Sequence, residues 1–133
     1  MSDVTILVVE DNDKNLKLIR DVLQFAGYAV VSAGSGEDGV ALAMERPPDL
    51  VLMDLQLPGM DGTEALHRLR SSSRTRHVPV VAVTALAMRD DRERAMNAGF
   101  DGYLSKPISV SSLPAQVRGF LQAGVSRSES RRE

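Results

Sequence analysis

Apolar and polar positions divide the chain into two alternating kinds of segment. Short runs rich in β-branched residues predict strands that are covered on both faces, at 4–9, 28–31, 49–53, 78–83 and 102–104. Between them, apolar residues recur at intervals of three and four, which predicts amphipathic helices over 13–26, 36–45, 62–70, 88–98 and 112–121. Alternating strands and helices predict an α/β fold.

Five strand–helix units in succession predict parallel strands joined by right-handed crossovers, in a three-layer sandwich. Helix boundaries agree with this interpretation. Ser35 and Asp61 stand where the second and third helices need an N-cap, and Asp13 is the expected cap of the first. Gly27 and Gly99 follow helical segments, where a left-handed residue often ends a helix.

A single domain is expected from a length of 133 residues. We place it at residues 3–122 and expect a stand-alone domain with no output domain of its own. Pro114 fits the first turn of the last helix. From residue 123 to 133 the sequence is rich in Ser, Arg and Glu, which predicts a disordered tail.

Composition removes several classes of function. The chain has no cysteine and a formal net charge of −2, which excludes disulfide scaffolds and thiol chemistry and gives no reason to expect a nucleic-acid partner. No apolar run approaches the ~20 residues of a membrane span. The N-terminus lacks the features of a signal peptide. We therefore expect a cytoplasmic protein without membrane contact.

Polar side chains follow four of the predicted strands, where the carboxyl ends of a parallel sheet form a ligand site. Glu10 and Asp11 follow the first strand and Asp54 the third, while Thr84 follows the fourth and Lys106 the fifth. Three crowded carboxylates repel one another, and oxygen ligands of this kind suit Mg²⁺, with Mn²⁺ as a substitute. The hydroxyl and the ammonium suit phosphoryl oxygens, so one carboxylate is a candidate nucleophile for phosphoryl transfer.

Four segments together resemble the response-regulator receiver domain of two-component signalling: 8–12, 52–62, 83–85 and 105–107. The resemblance spans residues 3–122 and is closest in character to single-domain, DivK-like regulators. It implies the flavodoxin-like (CheY-like) sheet, with five parallel strands in the order 2-1-3-4-5.

The resemblance also implies a role for each residue of the predicted site. Asp54 would accept a phosphoryl group from a phosphohistidine of a sensor histidine kinase or a histidine phosphotransfer protein. Asp11, Asp54 and the backbone carbonyl of Gln56 would bind Mg²⁺, with Glu10 acting through water. Lys106 would pair with the phosphoryl group.

Switching and partner contacts are implied in the same way. Thr84 would move toward the phosphoryl group, Tyr103 would turn inward, and the surface of the fourth helix, fifth strand and fifth helix would change its affinity for an effector. The protein would be a monomer or a phosphorylation-dependent dimer. The Lys106–Pro107 bond would be cis, and Leu18 and Pro107 would contact the phosphodonor.

Three alternatives remain open at this point. One is a receiver domain excised from a hybrid histidine kinase, and another is a phosphorylation-independent binding module. A flavodoxin-like cofactor protein or phosphatase is the third, although no Gly-rich phosphate loop follows the first strand. Any enzymatic activity would be limited to self-catalysed phosphotransfer and autodephosphorylation.

Overall fold

Five strands and five helices alternate along the part of the chain that the computed structural model describes, which is residues 4–85 and 89–132, with side chains for 4–85 and 92–123. The strands are β1 Thr5–Val9, β2 Ala29–Ala33, β3 Leu50–Asp54, β4 Val80–Thr84 and β5 Gly102–Ser105. The helices are α1 Asp13–Phe25, α2 Gly36–Glu45, α3 Gly62–Ser71, α4 Arg89–Ala98 and α5 Leu113–Arg132.

All strand pairings in the sheet are parallel, and the strand order is β2-β1-β3-β4-β5. This confirms the predicted α/β sandwich and its order. The register sets Val9 beside Met53 and Asp54 beside Val83. The carboxyl ends of β1, β3 and β4 are therefore almost level, and residues that follow these strands meet at one edge.

The core lies in two layers, one on each face of the sheet. Leu7 and Val9 of β1 belong to the layer that also takes residues from α2, α3 and α4. Ile6 and Val8 belong to the layer completed by α1 and α5. Successive side chains of a strand point to opposite faces, so a continuous apolar run is what a strand between two helical layers requires.

The N-terminus of α1 differs by one residue from the expectation. Asn12, not Asp13, is the cap: its Oδ1 accepts the backbone N–H groups of Lys14 and Asn15, both at 3.0 Å. Asp13 is instead the first helical residue, where its carboxylate still interacts favourably with the helix dipole. Asn and Asp cap equally well, so the choice depends on where the chain turns after β1.

The predicted N-caps of α2 and α3 and the predicted glycines after α1 and α4 are confirmed. Ser35 and Asp61 accept backbone N–H groups of their helices at 3.1 and 2.9 Å. Gly27 and Gly99 have φ angles of +102° and +112°, the left-handed conformation that glycine adopts at least cost. Pro114 is the second residue of α5.

Helix α5 continues to Arg132, past residue 122 where the sequence places the end of the packed domain. Its packing side chains, Leu113 and Val117, are fully buried. The side chains of 124–133, on which the predicted tail falls, lie outside the described residues, so the domain boundary stays a prediction. No described helix, α5 included, is long and apolar enough to cross a membrane.

The difference in burial between two leucines on α1 predicts very different effects of their substitution on stability. Leu23 is fully buried, whereas 37% of Leu18 is exposed. Leu23→Ala should lower the free energy of unfolding by about 2–5 kcal/mol because it leaves a cavity. Leu18→Ala should stay within about 0.5 kcal/mol of wild type. Urea denaturation measures both, and equal losses would contradict the packing described for α1.

Candidate functional site

Three carboxylates meet at the carboxyl ends of β1 and β3. Glu10, Asp11 and Asp54 each place one oxygen within 4.8 Å of the others'. Glu10 and Asp54 are only 2% exposed, whereas Asp11 is exposed. The cluster is therefore a buried pair of acids that opens to solvent beside the third.

A lysine lies between the two buried acids. Lys106 Nζ is 2.9 Å from Glu10 Oε1 and donates a 2.9 Å hydrogen bond to Asp54 Oδ2. Its backbone N–H donates to the Thr84 carbonyl at 2.8 Å, which fixes the lysine to the end of β4. The Lys106–Pro107 peptide bond is cis, as the resemblance implies.

Asp54 is also held from the other side. Its Oδ1 accepts the backbone N–H of Gln56 at 2.8 Å. Gly62, the first residue of α3, lies so close to Asp54 that a Cβ on Gly62 would be 2.9 Å from the Asp54 carbonyl oxygen. Only glycine fits there without a shift of backbone, so Gly62 lets α3 begin directly behind the acid.

Burial dominates the electrostatics of Glu10. It raises the pKa of Glu10, and Asp54 adds to the rise, while Lys106 and the Asn12 N–H at 3.1 Å oppose it. Glu10 Oε1 is buried and, within the described residues, has the Lys106 ion pair but no aligned hydrogen bond. This oxygen is available to a further ligand.

Burial alone would lower the pKa of Lys106, but Glu10 and Asp54 outweigh it and raise the pKa. The ammonium therefore stays charged at neutral pH. With their carboxylates ionised, the three acids carry one negative charge each against the single positive charge of Lys106. An all-oxygen donor set with this residual negative charge fits a divalent cation such as Mg²⁺.

The other predicted residues surround this cluster. Thr84 is fully buried, one residue beyond the partner of Asp54 in β4. Tyr103 on β5 is half-buried against the core layer of α2, α3 and α4. Leu18 and Pro107 are exposed on α1 and on the loop before α5. The movement of Thr84 and Tyr103 stays a prediction, as does metal binding by the Gln56 carbonyl.

One contact at the site has no counterpart among the sequence predictions. The side-chain Oε1 of Gln56 accepts the backbone N–H of Ala85 at 3.3 Å. The resemblance implies a role only for the backbone of Gln56. A glutamine in a loop carries no signal of its partner in the sequence, because the contact depends on the conformations of two loops.

Comparisons with known proteins agree with this geometry. The model of the response regulator receiver domain family matches residues 6–118, so the chain belongs to that family. Within it, the chain is similar to the polar-differentiation response regulator DivK of Brucella ovis, 43% identical over 117 residues, which cover 88% of this chain and 95% of DivK.

Two solved structures share the fold. The receiver domain of a sensor histidine kinase from Pseudomonas aeruginosa, with a magnesium ion coordinated in its active site cleft, has a TM-score of 0.83 and 35% identity, covering 91% of this chain and 99% of that one. A CheY-like receiver protein from Methanospirillum hungatei has a TM-score of 0.84 and 29% identity, covering 94% and 98%.

The raised pKa of Glu10 predicts a stability effect in the absence of metal. Since the folded state disfavours the ionised form of Glu10, the neutral Glu10→Gln should have the higher free energy of unfolding at pH 7.5. The measurement is urea denaturation in the presence of a chelator.

Glu93→Gln is the matched control, because Glu93 is exposed on α4. It should leave the free energy of unfolding nearly unchanged. If Glu10→Gln were less stable than wild type, the ion pair with Lys106 would outweigh burial and the electrostatic account would be wrong.

Proposed function

We propose that this receiver is a phosphorylation switch in which Asp54 accepts a phosphoryl group from a phosphohistidine of a sensor histidine kinase or a histidine phosphotransfer protein. The observation that carries the proposal is the position of Asp54. It is a buried carboxylate at the end of a central strand, 2.9 Å from the ammonium of Lys106 and beside two further acids.

The transfer makes one bond and breaks one. An Asp54 carboxylate oxygen bonds to phosphorus while the phosphorus–nitrogen bond of the donor breaks, and the leaving imidazole keeps the electron pair and takes a proton from solvent. Lys106 and the hydroxyl of Thr84 hold the phosphoryl oxygens. Asp11, Asp54 and the Gln56 carbonyl, with Glu10 acting through water, would hold Mg²⁺, which would supply positive charge beside the transferred group.

A phosphorylation-independent binding module is the main alternative. Such a module would have no use for two carboxylates and an ammonium that are removed from water, because burial of charge is costly even when the charges are paired. The magnesium ion in the related Pseudomonas aeruginosa domain supports the same interpretation of the cluster here. Higher identity to DivK than to that kinase's receiver favours a response regulator over part of a kinase.

Phosphorylation would affect a downstream partner by changing the surface to which that partner binds. Contacts from the phosphoryl group to Thr84 and Lys106 would favour one arrangement of the segment after β4, and Tyr103 would follow by turning inward. The surface formed by α4, β5 and α5 would then bind an effector protein or a second copy of the chain.

The phosphoacceptor role predicts a change of mass. Incubation with a small-molecule phosphodonor should add one phosphoryl group to the wild type only when Mg²⁺ or Mn²⁺ is present, and none to Asp54→Asn. Asp61→Asn is the matched control and should still be phosphorylated, because Asn also caps α3 well. Intact-mass spectrometry measures all three proteins.

Phosphorylation of Asp54→Asn at the wild-type level would contradict the assignment of Asp54. If the wild type binds Mg²⁺ but gains no phosphoryl group even from phosphohistidine proteins, the chain is a phosphorylation-independent module.

The donor would dock beside α1. Leu18, Val22 and Phe25 follow one another at helical spacing, and Phe25 is 96% exposed. Helix α1 starts just beyond Asp11 and packs against α5, whose preceding loop carries the exposed Pro107. An apolar surface that begins at this end of α1 suits a donor helix, and we assign Leu18 and Pro107 to it.

If the donor docks at this surface, the Leu18→Ala variant should accept the phosphoryl group from a protein donor more slowly than the wild type. Its phosphotransfer rate, divided by its rate with a small-molecule donor, should fall about fivefold, as expected for the loss of about 1 kcal/mol of binding energy. Met96→Ala, which removes an apolar side chain of similar exposure (43%) on α4, should keep the wild-type ratio. Equal ratios in both variants would exclude Leu18 from the interface.

A further inference from the structure

The hydrogen-bond ladder between β3 and β4 ends in an unusual way. The N–H of Leu55 donates to the Val83 carbonyl at 2.9 Å. In a parallel ladder the next bond would run from the N–H of Ala85 back to the carbonyl of Leu55. The structure shows the Ala85 N–H donating instead to the side-chain Oε1 of Gln56, at 3.3 Å.

Gln56 thereby joins the two segments that matter for phosphorylation. Its backbone N–H donates to Asp54 Oδ1 at 2.8 Å, and its side chain holds the residue that follows Thr84. The carbonyl of Thr84 accepts from the N–H of Lys106 at 2.8 Å. The backbone around Thr84 is therefore held from β5 on one side and by Gln56 on the other.

The two bonds differ in how easily they exchange. The bond from Lys106 is backbone to backbone and continues the pairing of β4 with β5. The bond to Gln56 is long, and its acceptor is the end of an exposed, flexible side chain. A bond of this kind contributes little net free energy, so another acceptor can displace it.

We propose that the Gln56 side chain is a latch that occupies the Ala85 N–H in the unphosphorylated protein. Adjacent strands lie about 4.8 Å apart, so a phosphoryl group on Asp54 brings anionic oxygens next to the residues that follow β4. Charged oxygens are stronger acceptors than an amide oxygen. Phosphorylation then takes the Ala85 N–H from Gln56.

This inference rests on the proposed phosphorylation of Asp54 and gives Gln56 a positioning role that its backbone does not supply. Gln56 holds Ala85, the residue directly after β4, in the resting arrangement. Because the displaced amide oxygen competes with the phosphoryl group, the latch weakens the response to phosphorylation. Removing the acceptor should therefore favour the phosphorylated arrangement.

The test uses Gln56→Met, which keeps the length of the side chain but removes the acceptor. In the metal-free protein, hydrogen exchange of the Ala85 amide should become about two- to tenfold faster, as the loss of one modest hydrogen bond predicts. Affinity for beryllofluoride with Mg²⁺, a mimic of the phosphoryl group, should rise by a similar factor. Gln116→Met, an exposed glutamine on α5, is the matched control and should change neither value.

Unchanged exchange at Ala85 together with unchanged beryllofluoride affinity would overturn the latch. A lower affinity in Gln56→Met would also overturn it, because the side chain would then assist the phosphoryl group. If the wild type binds no beryllofluoride at all, the proposed phosphorylation of Asp54 fails first. A thermal unfolding curve for each variant separates these results from loss of the fold.

Discussion

The ammonium of Lys106, placed between the carboxylates of Glu10 and Asp54, is the interaction on which the site depends. Each contact is 2.9 Å long, and both acids are buried. Without the Lys106 ammonium, two buried negative charges would face each other with a third nearby, which a folded protein tolerates poorly. The parallel sheet supplies the geometry, because the ends of β1, β3 and β5 bring residues distant in sequence to one edge.

The same arrangement leaves the negative charge of the site only partly balanced. One lysine opposes three acids, and burial already raises the pKa of Glu10. A protein built only for stability would replace such a cluster with apolar side chains. Here the residual negative charge favours a divalent cation, and under the proposed function that cation would then favour a phosphoryl group. The long hydrogen bond between Gln56 and Ala85 is the contact whose equilibrium such a ligand can shift.

Periodicity and residue type predicted the alternating strands and helices, because strands between two helical layers are apolar almost throughout, whereas the strand order came from the resemblance to receiver domains. The cluster was also predictable, since Asp54 ends a strand and Glu10 and Lys106 each follow one directly. The cap at Asn12 and the Gln56–Ala85 contact were not, because they depend on how loops turn over distances of a few ångströms. Location in the cytoplasm and the identity of partners stay predictions, as surfaces carry no comparable pattern.

Chemical trapping of the modified residue tests the central claim most directly. The wild type, phosphorylated by a phosphohistidine donor with Mg²⁺, would be treated with borohydride, which reduces an acyl phosphate to an alcohol. Peptide mass spectrometry should then find homoserine at position 54 and an unchanged acid at Asp11 and Glu10. Reduction at either of those acids, or a phosphoryl group on a serine, threonine or histidine, would contradict the account.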